Sequence, residues 1–156
     1  MEIKEYFHDS CVYFLNLEHR DDVLKKMSEN VQEQSLVKAS FGRAILDREK
    51  EFPTGLDTDH IGVALPHTDK EHVITPFIAV GVLEHPVSFQ LMGGGNVEIE
   101  VDIVFMLGVT DPSAQVEVLQ QLMEMIQNEE LSNKLESAQT KGEVISSLQH
   151  FTSLMS

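Results

Sequence analysis

The sequence predicts a single α/β domain in which helices cover a mixed central β-sheet. Three observations carry that prediction. Apolar residues at helical spacing occur early and late in the chain, nearly continuous apolar runs fill its middle, and no linker, repeat or low-complexity tract divides it. At 156 residues, the span 1–156 suits one domain with a core of its own.

The elements follow in order. Cys11-Val-Tyr-Phe-Leu-Asn-Leu17 is apolar and aromatic, and reads as a short strand. Asp21 and Asp22 favour a helix start through the helix dipole, and Leu24, Met27 and Val31 then fall on one face. Ser35 is the expected cap of a second helix through Val37, Phe41, Ala44, Ile45 and Arg48, which Phe52-Pro53 ends.

Ile61-Gly-Val-Ala-Leu65 is a short apolar run stopped by Pro66. Phe77-Ile-Ala-Val-Gly-Val-Leu83 reads as a strand buried on both faces. Val97-Glu-Ile-Glu-Val-Asp-Ile103 alternates and then becomes fully apolar through Leu107, as for a strand passing from the surface into the core. Met92-Gly-Gly-Gly-Asn96 is the turn between those two strands. Beyond it, Asp111 is the expected cap and Pro112 the first residue of a helix whose face carries Val116, Leu119, Leu122 or Met123, and Ile126. Leu131 with Leu135, and Val144 with Ile145 and Leu148, mark two more helices.

Composition narrows the function. Against 11 Lys+Arg stand 26 Asp+Glu, a formal charge of −15. Such a balance argues against nucleic acid and anionic membrane surfaces, which demand clustered cations, and favours a basic partner. The lone Cys11 excludes an internal disulfide and a cysteine-rich metal site, as expected of a cytoplasmic protein. Met1-Glu-Ile-Lys-Glu-Tyr6 lacks the pattern of a signal peptide, and no apolar run approaches the roughly 20 residues that cross a bilayer, so no direct membrane insertion is expected. Gly93-Gly-Gly95 has no following Lys-Ser/Thr and is no phosphate-binding loop, and the spacing of His60, His67 and His72 matches no standard zinc site.

Among seven histidines His67 stands apart, directly after Pro66 at the end of a buried strand, in Gly62-Val-Ala-Leu-Pro-His67. Reactive groups in α/β proteins often occupy such strand ends, and proline fixes the local backbone. This hexapeptide resembles the phosphorylation-site motif of enzyme IIA domains of the fructose/mannitol class, the sugar phosphotransferase (PTS) components that carry phosphate on histidine. Arg48-Glu-Lys-Glu-Phe-Pro-Thr-Gly55 is similar to that family's second motif, and Val104-Phe-Met-Leu-Gly-Val-Thr-Asp-Pro-Ser-Ala-Gln115 to its third, in the same order along the chain. The family's fold is implied with it: one three-layer α/β/α domain.

The resemblance implies a phosphotransferase component with a phosphohistidine intermediate, His67 accepting through Nε2. A histidine with an ordinary pKa of about 6.5 is largely unprotonated at neutral pH and releases phosphate more readily than a serine ester would. Arg48 corresponds to the family's arginine that stabilises the phosphoryl group, and its planar fork suits phosphate. Mannitol- and fructose-type members carry a second histidine where this chain has Gln115, which donates an amide hydrogen bond but never becomes cationic. Glu51-Phe-Pro-Thr-Gly55 with Gln115 looks most like the galactitol-specific branch. The implied partners are the HPr phosphocarrier as donor, a cysteine of a cognate IIB component as acceptor and, indirectly, a membrane IIC permease. No metal or organic cofactor is implied. The rival reading within the fold is a nitrogen-type regulatory IIA protein acting through phosphorylation-dependent binding. A third is a non-catalytic interaction domain, against which His67 and Arg48 together argue.

Overall fold

The computed structural model describes residues 2–155; Met1 and Ser156 lie outside the described residues. After a short 3₁₀ turn, the chain forms β1 (Phe7–Leu15), α1 (Arg20–Glu33), α2 (Phe41–Glu51), β2 (Gly55–Asp57), β3 (Gly62–Ala64), β4 (Phe77–Gln90), β5 (Glu98–Gly108), α3 (Pro112–Met125), α4 (Glu129–Ser137) and α5 (Lys141–Met155). The strands make one five-stranded sheet in the order β1-β4-β5-β3-β2. Its pairing is mixed: β1 with β4 and β3 with β5 run parallel, β4 with β5 and β2 with β3 antiparallel.

Three layers follow from the period-2 alternation of the central strands. Ile78, Val80, Ile103, Phe105 and Leu107 face one way and pack with Val118, Leu122, Leu131, Leu135, Val144 and Leu148 from α3, α4 and α5. Phe77, Ala79, Val104 and Met106 face the other and pack with Val23, Leu24, Met27, Val31, Phe41 and Ile45 from α1 and α2. Phe41 meets Phe77 edge to face at 6.0 Å between ring centroids, a geometry that adds about 1 kcal/mol to simple burial. Burial on both faces explains why β4 and β5 read as unbroken apolar runs.

Several boundaries differ from expectation. Ser35 does not cap the second helix; it terminates the first. Its φ is +62°, its N–H donates to the Gln32 carbonyl at 2.9 Å and the Leu36 N–H donates to Val31 at 3.1 Å. That pair of bonds is a Schellman closure, with serine in the left-handed place glycine usually takes. Residues 36–40 then form a connector, with Val37 bridging Val73, and α2 opens only at Phe41. β1 begins at Phe7, ahead of the expected start, and stops at Leu15, short of Leu17. β4 runs past Leu83 to Gln90 because a bulge between Val82 and Val87 takes up Glu84-His85-Pro86, where a residue without an N–H costs no ladder bond. On α3, Val116 points to solvent, 58% exposed, and the buried face is Val118, Leu122 and Met125. Asp111 caps that helix as expected, its Oδ1 accepting the Ser113 N–H at 3.1 Å with Pro112 in the first turn. No helix among the described residues is long and apolar enough to cross a membrane.

Candidate functional site

His67 sits three residues beyond the end of the short β3, where neighbouring strands still hold the chain. The Pro66 carbonyl accepts the Leu107 N–H at 2.9 Å, extending the pairing of β3 with β5 past the end of the strand. Gly62 lets β3 lie close to β5: a Cβ there would fall on the Glu100 carbonyl oxygen. The backbone leading to His67 is therefore fixed by β5 on one side and, through Thr54, by the approach to β2 on the other.

The imidazole is half-buried, and its Nδ1 lies 2.7 Å from the Leu65 carbonyl oxygen. A carbonyl only accepts, so Nδ1 carries the hydrogen and Nε2 carries the lone pair. Nε2 has no hydrogen-bond partner among the described residues. Burial lowers the His67 pKa below its ordinary value; the Leu65 bond and the Asp69 charge oppose that shift, and the Arg48 charge reinforces it. The ring is thus a neutral base with a fixed tautomer, suited to nucleophilic attack through Nε2.

Arg48 reaches this region from the last turn of α2. Its guanidinium carbon lies 5.1 Å from the centre of the Phe52 ring and its Nη1 lies 3.8 Å from Asp69 Oδ1. Among the described residues the fork makes no hydrogen bond to the helix's own terminal carbonyls, the usual partners of a helix-end arginine. Asp69 is largely exposed on its loop and makes that loose ion pair.

Gln115 stands in the first turn of α3, half-buried, and lines a shallow hollow of about 320 Å³ with Asp69, Lys70, Glu71 and Pro112. The fold therefore brings Arg48, Gln115 and the loop following His67 to one end of the sheet. Of the other histidines weighed as metal ligands, His72 is engaged through Nδ1 with Ser40 Oγ at 2.8 Å, and His60 lies with Asp57 and Asp59 along another hollow.

Two residues of the site escaped the sequence reading of roles, although both lie in the quoted Arg-Glu/Thr-Gly motif. Glu49 is 2% exposed and Thr54 3% exposed. Glu49 Oε2 accepts the Thr54 N–H and Oε1 accepts its hydroxyl, both at 2.8 Å. Thr54 Oγ1 in turn accepts the Leu65 N–H at 3.1 Å. Burial pushes the Glu49 carboxyl pKa up, opposed by the two Thr54 bonds and the Arg20 charge.

Comparison with known proteins identifies the family and the fold. The family model described as "Phosphoenolpyruvate-dependent sugar phosphotransferase system, EIIA 2" matches residues 5–151. A galactitol-specific EIIA component of the PTS from Escherichia coli K12 is 27% identical over 116 residues, 74% of this chain and 77% of that protein. Among solved structures, the nitrogen regulatory protein IIA-Ntr of Neisseria meningitidis superposes with a TM-score of 0.76 at 24% identity, covering 94% of this chain and 98% of that one. Enzyme IIA-Mtl of Escherichia coli, in its complex with phosphorylated enzyme IIB-Mtl, superposes with a TM-score of 0.76 at 18% identity, covering 92% and 99%. At those identities the two structures establish the shared fold.

Proposed function

This chain belongs to the EIIA 2 family of the phosphoenolpyruvate-dependent sugar phosphotransferase system, and from that premise we propose that His67 is its phosphoryl-carrying residue. The observation that carries the reading is the hydrogen bond from Nδ1 to the Leu65 carbonyl at 2.7 Å, which leaves the Nε2 lone pair free on a neutral ring.

In the forward step Nε2 attacks the phosphorus of phospho-HPr. The new N–P bond forms as the donor's N–P bond breaks, and the donor histidine leaves neutral. In the second step a cysteine thiolate of a IIB component attacks the same phosphorus, and His67 regains its lone pair as the N–P bond breaks. No protein group has to deliver a proton to His67 in either step, so catalysis reduces to alignment and charge stabilisation. Arg48 supplies the cation. In a chain of formal charge −15, a dianionic phosphoryl group requires one nearby. Gln115 adds a neutral amide donor from the α3 side. The acidic surface favours encounter with a donor that is basic around its own histidine.

The phosphate is destined for a sugar taken up through a membrane IIC permease. Likeness to the galactitol-specific component favours galactitol or a related sugar. The protein operates in the cytoplasm, where its donor and acceptor meet.

Incubation with phosphoenolpyruvate, enzyme I and HPr should label the protein with one acid-labile phosphate. The label should vanish in His67→Ala and pass to IIB only when its cysteine is intact. An unlabelled wild type, or an equally labelled His67→Ala, overturns the reading.

A further inference from the structure

Resting on His67 as the phosphoryl acceptor, we infer that Glu49 and Thr54 are positioning residues that set its tautomer through the backbone of Leu65. The argument is one of connectivity. β2 and β3 pair Gly55 with Ala64, Leu56 with Val63 and Asp57 with Gly62, so Thr54 is the next residue in register opposite Leu65. There the main-chain ladder ends, and the Leu65 N–H bonds to the Thr54 hydroxyl instead. This N–H is buried with the rest of Leu65 and would otherwise lack a partner.

A hydroxyl rotates, and by itself it would hold Leu65 loosely. Glu49 removes that freedom. Its two carboxylate oxygens take the Thr54 N–H and the Thr54 O–H, so the hydroxyl hydrogen is committed to Glu49 and a lone pair is turned to Leu65. Leu65 is then held at its N–H by Thr54, and the following residue is held at its carbonyl by Leu107. Pro66 restricts the conformation of Leu65 between those two anchors. What remains is the Leu65 carbonyl, aimed at Nδ1 of His67. The buried carboxylate touches neither the imidazole nor any phosphate. It acts two residues away, by orienting the acceptor that keeps hydrogen on Nδ1 and off Nε2.

The test first reads the tautomer directly, independently of any transfer reaction, and then the rate of transfer. Long-range ¹H–¹⁵N correlation of the unphosphorylated full chain at pH 8 should give a single Nδ1–H tautomer for His67 in the wild type and in Thr54→Ser, which keeps the hydroxyl. Thr54→Val keeps the shape and deletes the hydroxyl, and should give a mixture of both tautomers. Glu49→Gln should do the same, because its amide NH₂ faces Thr54 Oγ1 and competes with the Leu65 N–H. Phosphorylation of Thr54→Val by phospho-HPr should slow by about tenfold, the scale of one buried hydrogen bond, with rescue in Thr54→Ser. A folded Thr54→Val or Glu49→Gln that retains the single Nδ1–H tautomer overturns the inference, and so does a Thr54→Ser as disturbed as Thr54→Val. Should the valine variant not fold, Thr54→Ser and Glu49→Gln decide it on the same readout. A wild type with the single tautomer that phospho-HPr never labels would overturn the carrier reading while supporting the network.

Discussion

Arg48 Nη1 stands 3.8 Å from Asp69 Oδ1, at the outer edge of an ion pair, with the two side chains 35% and 71% exposed. A pair this loose and this wet contributes little to stability, so the guanidinium is held near His67 without being consumed. Under the proposed function, an incoming phosphoryl group would outcompete a single distant carboxylate for a bidentate fork. Arg48→Ala should therefore slow phosphorylation by about a hundredfold, the usual effect of losing a donor to developing charge. Stability should fall by no more than about 1 kcal/mol, from the lost contact with Phe52. Arg48→Lys should recover only part of the rate, because a point charge lacks the fork. Rapid-quench labelling with phospho-HPr, alongside urea unfolding, measures both quantities. Unchanged kinetics in Arg48→Ala would remove it from the site.

A second expectation concerns pH. Burial holds the His67 pKa below its ordinary value of 6.5 in the folded chain. Between the folded value and that of the unfolded chain, the unfolded state binds the extra proton, so His67 makes stability rise with pH through that window. Above about pH 6.5 both states are neutral at this ring and the slope vanishes. The difference in unfolding free energy between wild type and His67→Gln, followed from pH 5 to pH 8, isolates this residue from the other histidines. The wild type should lose stability relative to the variant as pH falls below about 6.5. The labelling rate should stay level at neutral pH and decline only in the acid window. A difference that does not vary with pH would mean that the ring titrates as in the unfolded chain.

His67 and Arg48 could be singled out as candidates because the family motifs they resemble are short, local segments. Pro66-His67 after an apolar run states a strand end, and Arg48 opens the Arg-Glu/Thr-Gly motif. The doubly buried strands were legible too, since Phe77–Leu83 and Val104–Leu107 have no polar residue to place on a wet face. β2 was not, because Gly55–Asp57 has no alternation of its own and is a strand only by pairing with β3. Ser35 misled because serine is the commoner start of a helix than its end, and only the bonds from Ser35 and Leu36 back to α1 decide between them. Glu49 was the hardest. Within Asp47-Arg-Glu-Lys-Glu51 every residue suits a solvated helix face, yet Glu49 alone turns inward, and its partner Thr54 becomes available only once the chain has reversed after Pro53.

Gln115 gives a third prediction. It shares its hollow with Asp69, Lys70 and Glu71, residues of the loop that follows His67. If its amide donates to a phosphoryl oxygen, Gln115→Ala should slow labelling by a few-fold, the effect of one neutral hydrogen bond. Gln115→His should add a second titrating group, so below about pH 6.5 the labelling rate should fall less steeply than in the wild type, as the new imidazole becomes cationic and partly offsets the decline due to His67. The comparison is a pair of pH–rate profiles from the same labelling reaction. Superimposable profiles for wild type and Gln115→His would place residue 115 outside the phosphoryl environment.

The last prediction tests the scaffold beneath the site. At Gly62 an added Cβ would meet the Glu100 carbonyl oxygen and crowd the Val101 Cα at 3.3 Å, both of them backbone in β5. Neither can rotate aside as the tip of a side chain would, so β3 itself must move. Its contacts are few: β3 is three residues long, pairs with β5 through Val63 and Ala64, and owes its outer neighbour to the equally short β2. Gly62→Ala should cost about 3 kcal/mol, at the upper end for overpacking a buried site. The displacement also travels along the strand to Leu65, weakening together the bond its N–H donates to Thr54 and the one its carbonyl accepts from Nδ1 of His67. Gly62→Ala should thus lose transfer rate even at temperatures where circular dichroism reports a folded chain. Gly94→Ala, in the turn before β5, should leave the rate untouched, because the atoms nearest its Cβ belong to the Leu91 side chain. Equal stability and equal labelling in Gly62→Ala would mean that β3 does not hold His67 in place.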